Sequence, residues 1–175
     1  MILKLVRTPG IYLVGFMGSG KTTVGEILAN RLGWNFVDLD AEIEAEQKTT
    51  IPAIFDEQGE ERFRQLETLA IRSQVKMVRG GRPSVLALGG GAFTRPENIE
   101  LLTGHGVTVW LDCPLEVARQ RVAECGNRPL ARDPEKFAAL FEARRASYAL
   151  AEYRVGGAGL YPEQVVDAIC RLPFF

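Results

Sequence analysis

Short runs of consecutive apolar residues alternate along the chain with longer segments in which apolar side chains recur every three or four positions. The short runs, over residues 11–15, 34–38, 84–88, 107–111 and 153–155, predict strands. Two of them, 84–88 and 107–111, show almost no polar alternation, as expected of parallel strands covered by helices on both faces. The longer segments predict helices near residues 22–32, 41–46, 51–55, 60–78, 115–123, 135–150 and 163–171. Val24, Ile27, Leu28 and Ala29 form the apolar face of the first, and Phe63, Leu66, Ala70 and Met77 that of the longest. Strands regularly followed by helices predict one α/β domain, a three-layer α/β/α sandwich over residues 1–175 with no repeat or linker. Residues 79–83 read as a surface loop, and the terminal Phe174 and Phe175 as packed on the body.

Composition narrows the chemistry. The 175 residues carry 21 Lys+Arg against 22 Asp+Glu, a formal charge of −1, so duplex nucleic acid is not the expected partner. No apolar run is long enough to span a bilayer, and residues 1–10 do not read as a signal peptide. Cys113, Cys125 and Cys170 are odd in number and widely separated, and the lone His105 has no ligand-type neighbour. Neither a disulfide framework nor a structural zinc site is expected, and the cytoplasm is the default compartment. His105, between two glycines, reads as a turn residue ahead of a strand.

Gly15-Phe16-Met17-Gly18-Ser19-Gly20-Lys21-Thr22 joins the first predicted strand to the first predicted helix and fits Gly-x4-Gly-Lys-Ser/Thr. Glycines there let consecutive amide N–H groups turn inward around a phosphate, and the helix N-terminus adds donors and partial positive charge. Lys21 supplies a full charge for the outer phosphates, and the Thr22 hydroxyl is placed for Mg²⁺. A nucleoside triphosphate is the expected ligand; the motif does not specify the acceptor.

Asp38 and Asp40 follow the second strand and, being two apart in an extended segment, should point to one side near the phosphates. One could hold Mg²⁺ through water while the other orients or deprotonates a hydroxyl. Equally, they could simply start and cap the next helix. Asp112 also ends an apolar strand and is a rival for the magnesium role, although the Cys113-Pro114 that follows it favours a helix cap there. Arg64 and Glu67, three apart on one helical face, can pair. Gly89-Gly90-Gly91 after a buried strand suggests close approach of a ligand or of another backbone. Arg119, Arg121, Arg128, Arg132, Arg144 and Arg145 surround a polar segment that could form an arginine-bearing cover excluding water from the triphosphate.

Taken together, these residues resemble the shikimate kinases: the phosphate loop at 15–22, Asp38-x-Asp40, Phe63-Arg64-x-x-Glu67, Gly89-Gly90-Gly91 and Arg128-Pro129-Leu130. The resemblance implies a phosphate-loop NTPase fold with a five-stranded parallel sheet, a mobile lid near residues 124–136, and transfer of phosphate from Mg-ATP to the 3-hydroxyl of shikimate. It implies that Gly18, Ser19, Gly20, Lys21, Thr22, Thr23, Arg121 and Arg128 bind ATP, with Arg121 on adenine and Arg128 closing on the phosphates. Thr22 and Asp38 would serve Mg²⁺, and Asp40 would hold the substrate hydroxyls and act as base. Arg64, oriented by Glu67, would bind the shikimate carboxylate beside Gly89, Gly90 and Gly91; Lys21, Asp40 and Arg128 make the catalytic set.

A second arginine should help hold the carboxylate. Where the shikimate kinases usually read Arg-x-Pro-Leu-Tyr, this chain has Arg144-Arg145-Ala146-Ser147-Tyr148, so the resemblance favours Arg144 by its spacing to Tyr148, with the adjacent Arg145 as the alternative. The chain departs from the family pattern in a short lid over 130–136, in Val122, and in Gly156-Gly157 near the expected adenine pocket. The competing expectations are a kinase of another polyol acid such as gluconate, or a ligand-sensing domain without turnover. The acting unit is expected to be a monomer with shikimate as its small-molecule partner.

Overall fold

A computed structural model describes residues 10–125, 133–157 and 161–175. Five parallel strands form one sheet: β1 (Gly10–Val14), β2 (Asn35–Asp38), β3 (Ser84–Ala87), β4 (Val107–Asp112) and β5 (Tyr153–Gly156), in the order β2-β3-β1-β4-β5. Eight α-helices are described: α1 (Lys21–Leu32), α2 (Leu39–Gln47), α3 (Ile51–Gln58), α4 (Glu60–Arg79), α5 (Pro96–Leu102), α6 (Leu115–Glu124), α7 (Pro134–Tyr148) and α8 (Pro162–Cys170). The expected α/β architecture is therefore observed. Among the described residues, no helix is long and apolar enough to cross a membrane.

β1 shows why its segment reads as a continuous apolar run. Tyr12 and Val14 enter the core on one face of the sheet, with Leu86, Trp110 and Phe93. Ile11 and Leu13 enter the other, with Val24, Leu28, Val109 and Val166. A central parallel strand covered on both sides has no face left for polar residues. Gly25 of α1 belongs to this packing, because a Cβ there would come within 2.5 Å of the Phe36 ring. Phe174 is buried against Tyr153, as expected of a packed terminus.

Several expectations need correction. Met77 lies at the margin of the apolar face of α4 and is 40% exposed, because Val75 and Val78 occupy the inward positions of the last turns. Ile27 is only partly buried, at the margin of the face formed by Val24, Gly25, Leu28 and Ala29. The sequence pattern predicts no element over residues 92–102, yet a 3₁₀ turn (Ala92–Thr94) and α5 occur there. α5 is short, has no side-chain N-cap, and buries the polar Asn98, so its helical signal is weak. Asp112 does not cap α6, whose N-cap is Pro114. Its carboxylate instead accepts from Arg145 Nη1 at 3.0 Å and from Arg154 Nε at 2.9 Å.

Parallel strands leave all their C-terminal ends on one edge of the sheet. The segments following β1, β2 and β3 therefore converge there: the glycine loop 15–20, the start of α2, and Gly89-Gly90-Gly91.

Candidate active site

The loop after β1 is shaped by its glycines. Gly18 has φ +79°, and a Cβ on it would come within 2.7 Å of the Ala118 carbonyl oxygen. Gly20, at φ +93°, is the N-cap of α1 and makes no side-chain cap hydrogen bond to the first turn. The first turn of α1 holds no acidic residue, so its positive end is left for an external anion. Lys21 Nζ crosses the loop and donates to Gly15 O at 2.8 Å and Phe16 O at 3.0 Å. Ser19 is buried beneath it, with Oγ 3.5 Å from Nζ.

Thr22 Oγ1 donates to Asp38 Oδ2 at 2.6 Å. The other oxygen of Asp38 accepts from the backbone N–H groups of Asp40 and Ala41 at 3.1 and 3.2 Å. One oxygen of Asp38 thus caps α2, as one reading of its position expects, and the other takes the Thr22 hydroxyl of α1. The extended spacing expected for Asp38 and Asp40 is not observed, since β2 ends at Asp38 and α2 begins at Leu39. Leu39 turns into the core, and the first helical turn brings Asp40 back to the same cavity. That cavity, about 240 Å³, is lined by Lys21, Thr22, Thr23, Asp38 and Asp40 together with the Gly18, Gly20, Gly89 and Gly90 backbone.

The glycine-shaped loop, the acid-free helix start and Lys21 fit a polyphosphate. The hard oxygen donors of Thr22 and Asp38, side by side at the same mouth, fit Mg²⁺. Arg121 Nη1 donates to Gly18 O at 3.1 Å, so the guanidinium lies on the outer side of the loop. Arg128, and with it the centre of the expected lid, lies outside the described residues, as does Arg132.

A second cluster adjoins the cavity. Arg64 Nη1 donates to Glu67 Oε2 at 3.0 Å, and Arg64 Nη2 to Glu60 Oε1 at 3.3 Å. Glu67 is fully buried, and among the described residues its Oε1 has no hydrogen-bond partner. Burial raises the Glu67 carboxyl to about 7; Arg64 opposes that rise, Asp40 adds to it, and Arg144 lowers it.

The glycine triplet exists because these side chains press on it. A Cβ on Gly89 would sit 2.7 Å from Asp40 Oδ1 and 2.9 Å from Glu67 Oε1. One on Gly91 would sit 2.5 Å from Arg64 Nη1, and one on Gly90 3.1 Å from Arg144 Nη1. Two carboxylates and two guanidinium groups therefore converge on one stretch of bare backbone.

Arg144 and Arg145 separate here. Arg144 faces Gly90 and stacks over Phe16 with its guanidinium carbon 5.8 Å from the ring centre. Arg145 pairs with Asp112 and stacks on Trp110 at 5.1 Å. Tyr148, used in the sequence only as a spacing mark, donates from its hydroxyl to Gly90 O at 2.5 Å and anchors the glycine segment to α7. Its place four residues after Arg144 on one helical face is the signal that could have found it. Phe16 of the loop packs edge-on against Phe137 and Phe141 of α7, each at 5.2 Å between centroids. The Asp112–Arg154 contact carries no sequence signal, because β5 pairs with β4 only through the fold.

A family model described as shikimate kinase matches residues 17–172. A shikimate kinase of Geobacter sulfurreducens is 46% identical over 162 residues, spanning 91% of this chain and 87% of the relative. One of Persephonella marina is 42% identical over 160 residues, spanning 91% and 95%. The solved structure of shikimate kinase from Acinetobacter baumannii in complex with shikimate superposes with a TM-score of 0.86 at 38% identity, covering 95% of this chain and 93% of that one. The chain belongs to the shikimate kinase family, and with it to the kinases that use ATP and Mg²⁺.

Proposed function

We propose that this chain transfers the terminal phosphoryl group of Mg-ATP to the 3-hydroxyl of shikimate, with the residues of the two adjoining clusters in distinct roles. The observation that carries this reading is the convergence of Arg64 and Arg144 on the glycine triplet, next to Asp40 and the phosphate loop. An acceptor with a hydroxyl at one end and a carboxylate at the other matches that charge pattern.

Arg64 and Arg144 hold the carboxylate. A planar guanidinium can pair with it through two parallel hydrogen bonds, which a lysine cannot do. Glu67 keeps Arg64 in place from below. The bare backbone of Gly89, Gly90 and Gly91 lets Arg64, Arg144 and Asp40 close in on the acceptor. Asp40 orients the hydroxyl and takes its proton as the new oxygen–phosphorus bond forms and the bond to the departing ADP oxygen breaks. Lys21 and the loop amides hold the phosphates, Thr22 and Asp38 hold Mg²⁺, and Arg121 and Arg128 complete the nucleotide side. When bound, the metal ion neutralises phosphate charge. Excluding water matters, since a solvent-filled site would hydrolyse ATP without an acceptor.

All of these groups come from one chain, and we take the acting unit to be the monomer. The test is release of ADP by the purified chain with Mg-ATP and a panel of acceptors that includes shikimate and gluconate. Turnover dependent on shikimate supports the reading. Turnover with gluconate alone, or none with either, defeats it.

A further inference from the structure

The two halves of the acid-binding region are joined behind the site by a buried polar bridge that touches no ligand position. Asn98 of α5 is 0% exposed. Its side-chain oxygen accepts from Thr68 Oγ1 at 2.8 Å, and its Nδ2 donates to Ala92 O at 2.9 Å. Thr68 follows Glu67 on α4, and Ala92 follows Gly91. The bridge therefore starts one residue beyond the carboxylate that holds Arg64 and ends one residue beyond the glycine pressed against Arg64.

The glycine segment is further folded onto itself. Ala92 N–H donates to Gly89 O at 3.0 Å, and Thr94 Oγ1 to Gly91 O at 2.7 Å. It is a small rigid turn, and Asn98 fixes where that turn sits relative to α4. An apolar residue would fill the space behind the turn without the cost of desolvating an amide. It would not set a unique register between turn and helix, which a buried amide paired through both its oxygen and its nitrogen does.

We propose that Asn98, through Thr68 and Ala92, is a positioning residue that sets the distance between the glycine turn and the Arg64–Glu67 pair, and so the affinity for the acceptor carboxylate. This rests on the function proposed above. The Gly91 backbone lies so close to Arg64 that an added Cβ would come within 2.5 to 2.7 Å of the guanidinium, so a displacement of the turn changes the space in which that group sits.

The test uses the full chain with shikimate and Mg-ATP. Thr68→Val removes the hydroxyl while keeping the shape, Thr68→Ser restores it, and Asn98→Ala removes the whole bridge. Thr68→Val is expected to raise the KM and the directly titrated Kd for shikimate about fivefold, the worth of one hydrogen bond, with the KM for ATP within about twofold of wild type. Thr68→Ser should behave like wild type, and Asn98→Ala should show a larger rise. If Asn98→Ala does not fold, the two Thr68 variants decide. A lower Tm with unchanged KM for shikimate, or equal rises for shikimate and ATP, would make the bridge purely structural and overturn the proposal. Wild-type chain that neither binds nor phosphorylates shikimate would instead sink the function reading, a result visible before any variant is made.

Discussion

Arg144 and Arg145, neighbours on α7, are turned to opposite tasks: the first faces the Gly90 backbone, while the second donates to Asp112 at 3.0 Å and stacks on Trp110. Charge and position in the chain are nearly the same; the difference is which wall of the molecule each helical position meets. Arg144→Ala should therefore raise the KM for shikimate by about tenfold or more, the loss of a charge-assisted hydrogen bond, and leave that for ATP within about threefold. Arg145→Ala should leave both KM values near wild type and lower Tm, since it strips Asp112 of one of its two guanidinium partners. Steady-state kinetics and thermal unfolding of the two variants side by side check this.

Gly91→Ala offers a gentler way to disturb the same region. The backbone there is an ordinary right-handed conformation, φ −96°, so alanine carries no backbone strain. Its methyl would lie 2.5 to 2.7 Å from three atoms of the Arg64 guanidinium. A flexible side chain yields before the fold does. The expected outcome is a Tm near wild type with a KM for shikimate raised about tenfold.

Arg64→Lys tests geometry apart from charge. Lysine keeps a cation beside buried Glu67, whereas alanine would strand that carboxylate. Lysine cannot hold Glu67, Glu60 and an incoming carboxylate at once, so the KM for shikimate should rise at least tenfold with kcat changed much less.

Glu67 also carries a pH signature. Its carboxyl lies near 7 in the folded chain, against an ordinary value of 4.5. The folded state therefore binds the proton more tightly than the unfolded chain, and stability falls as pH rises from about 4.5 through 7. Glu67→Gln should flatten that part of the stability–pH curve of the ligand-free protein, measured by denaturant unfolding at a series of pH values. An unchanged slope would mean that other groups set it.

Asp40→Asn keeps the size of the side chain and removes its basicity. Turnover should fall by about 10² to 10⁴ while the affinity for ATP, measured by direct titration, stays near wild type.

The parts of the molecule legible in the sequence are those where a local rule suffices. The phosphate loop, the apolar strands and the amphipathic α4 follow from glycine spacing and periodicity, and the five parallel strands appear where the runs predict them. Three glycines in a row announced a close approach, and Arg64, Arg144, Asp40 and Glu67 are what approaches. What needed the fold was every relation carried across elements. Spacing to Tyr148 favours Arg144, but only the wall that each arginine meets separates it from Arg145. The dual use of Asp38 depends on where α1 brings Thr22, and the pairing of Asp112 with Arg154 depends on strand order. Asn98 carries no sequence signal, because a single polar residue in a short helix has no periodicity.

Phe16 is clasped by Phe137 and Phe141, which ties the phosphate loop to α7. On the roles proposed above, phosphate is read at Lys21 and acid at Arg144, two marks whose separation the fold sets. An acceptor carrying the same two groups on a longer or shorter frame would meet one mark and miss the second, so selection acts on molecular length as well as on chemical identity.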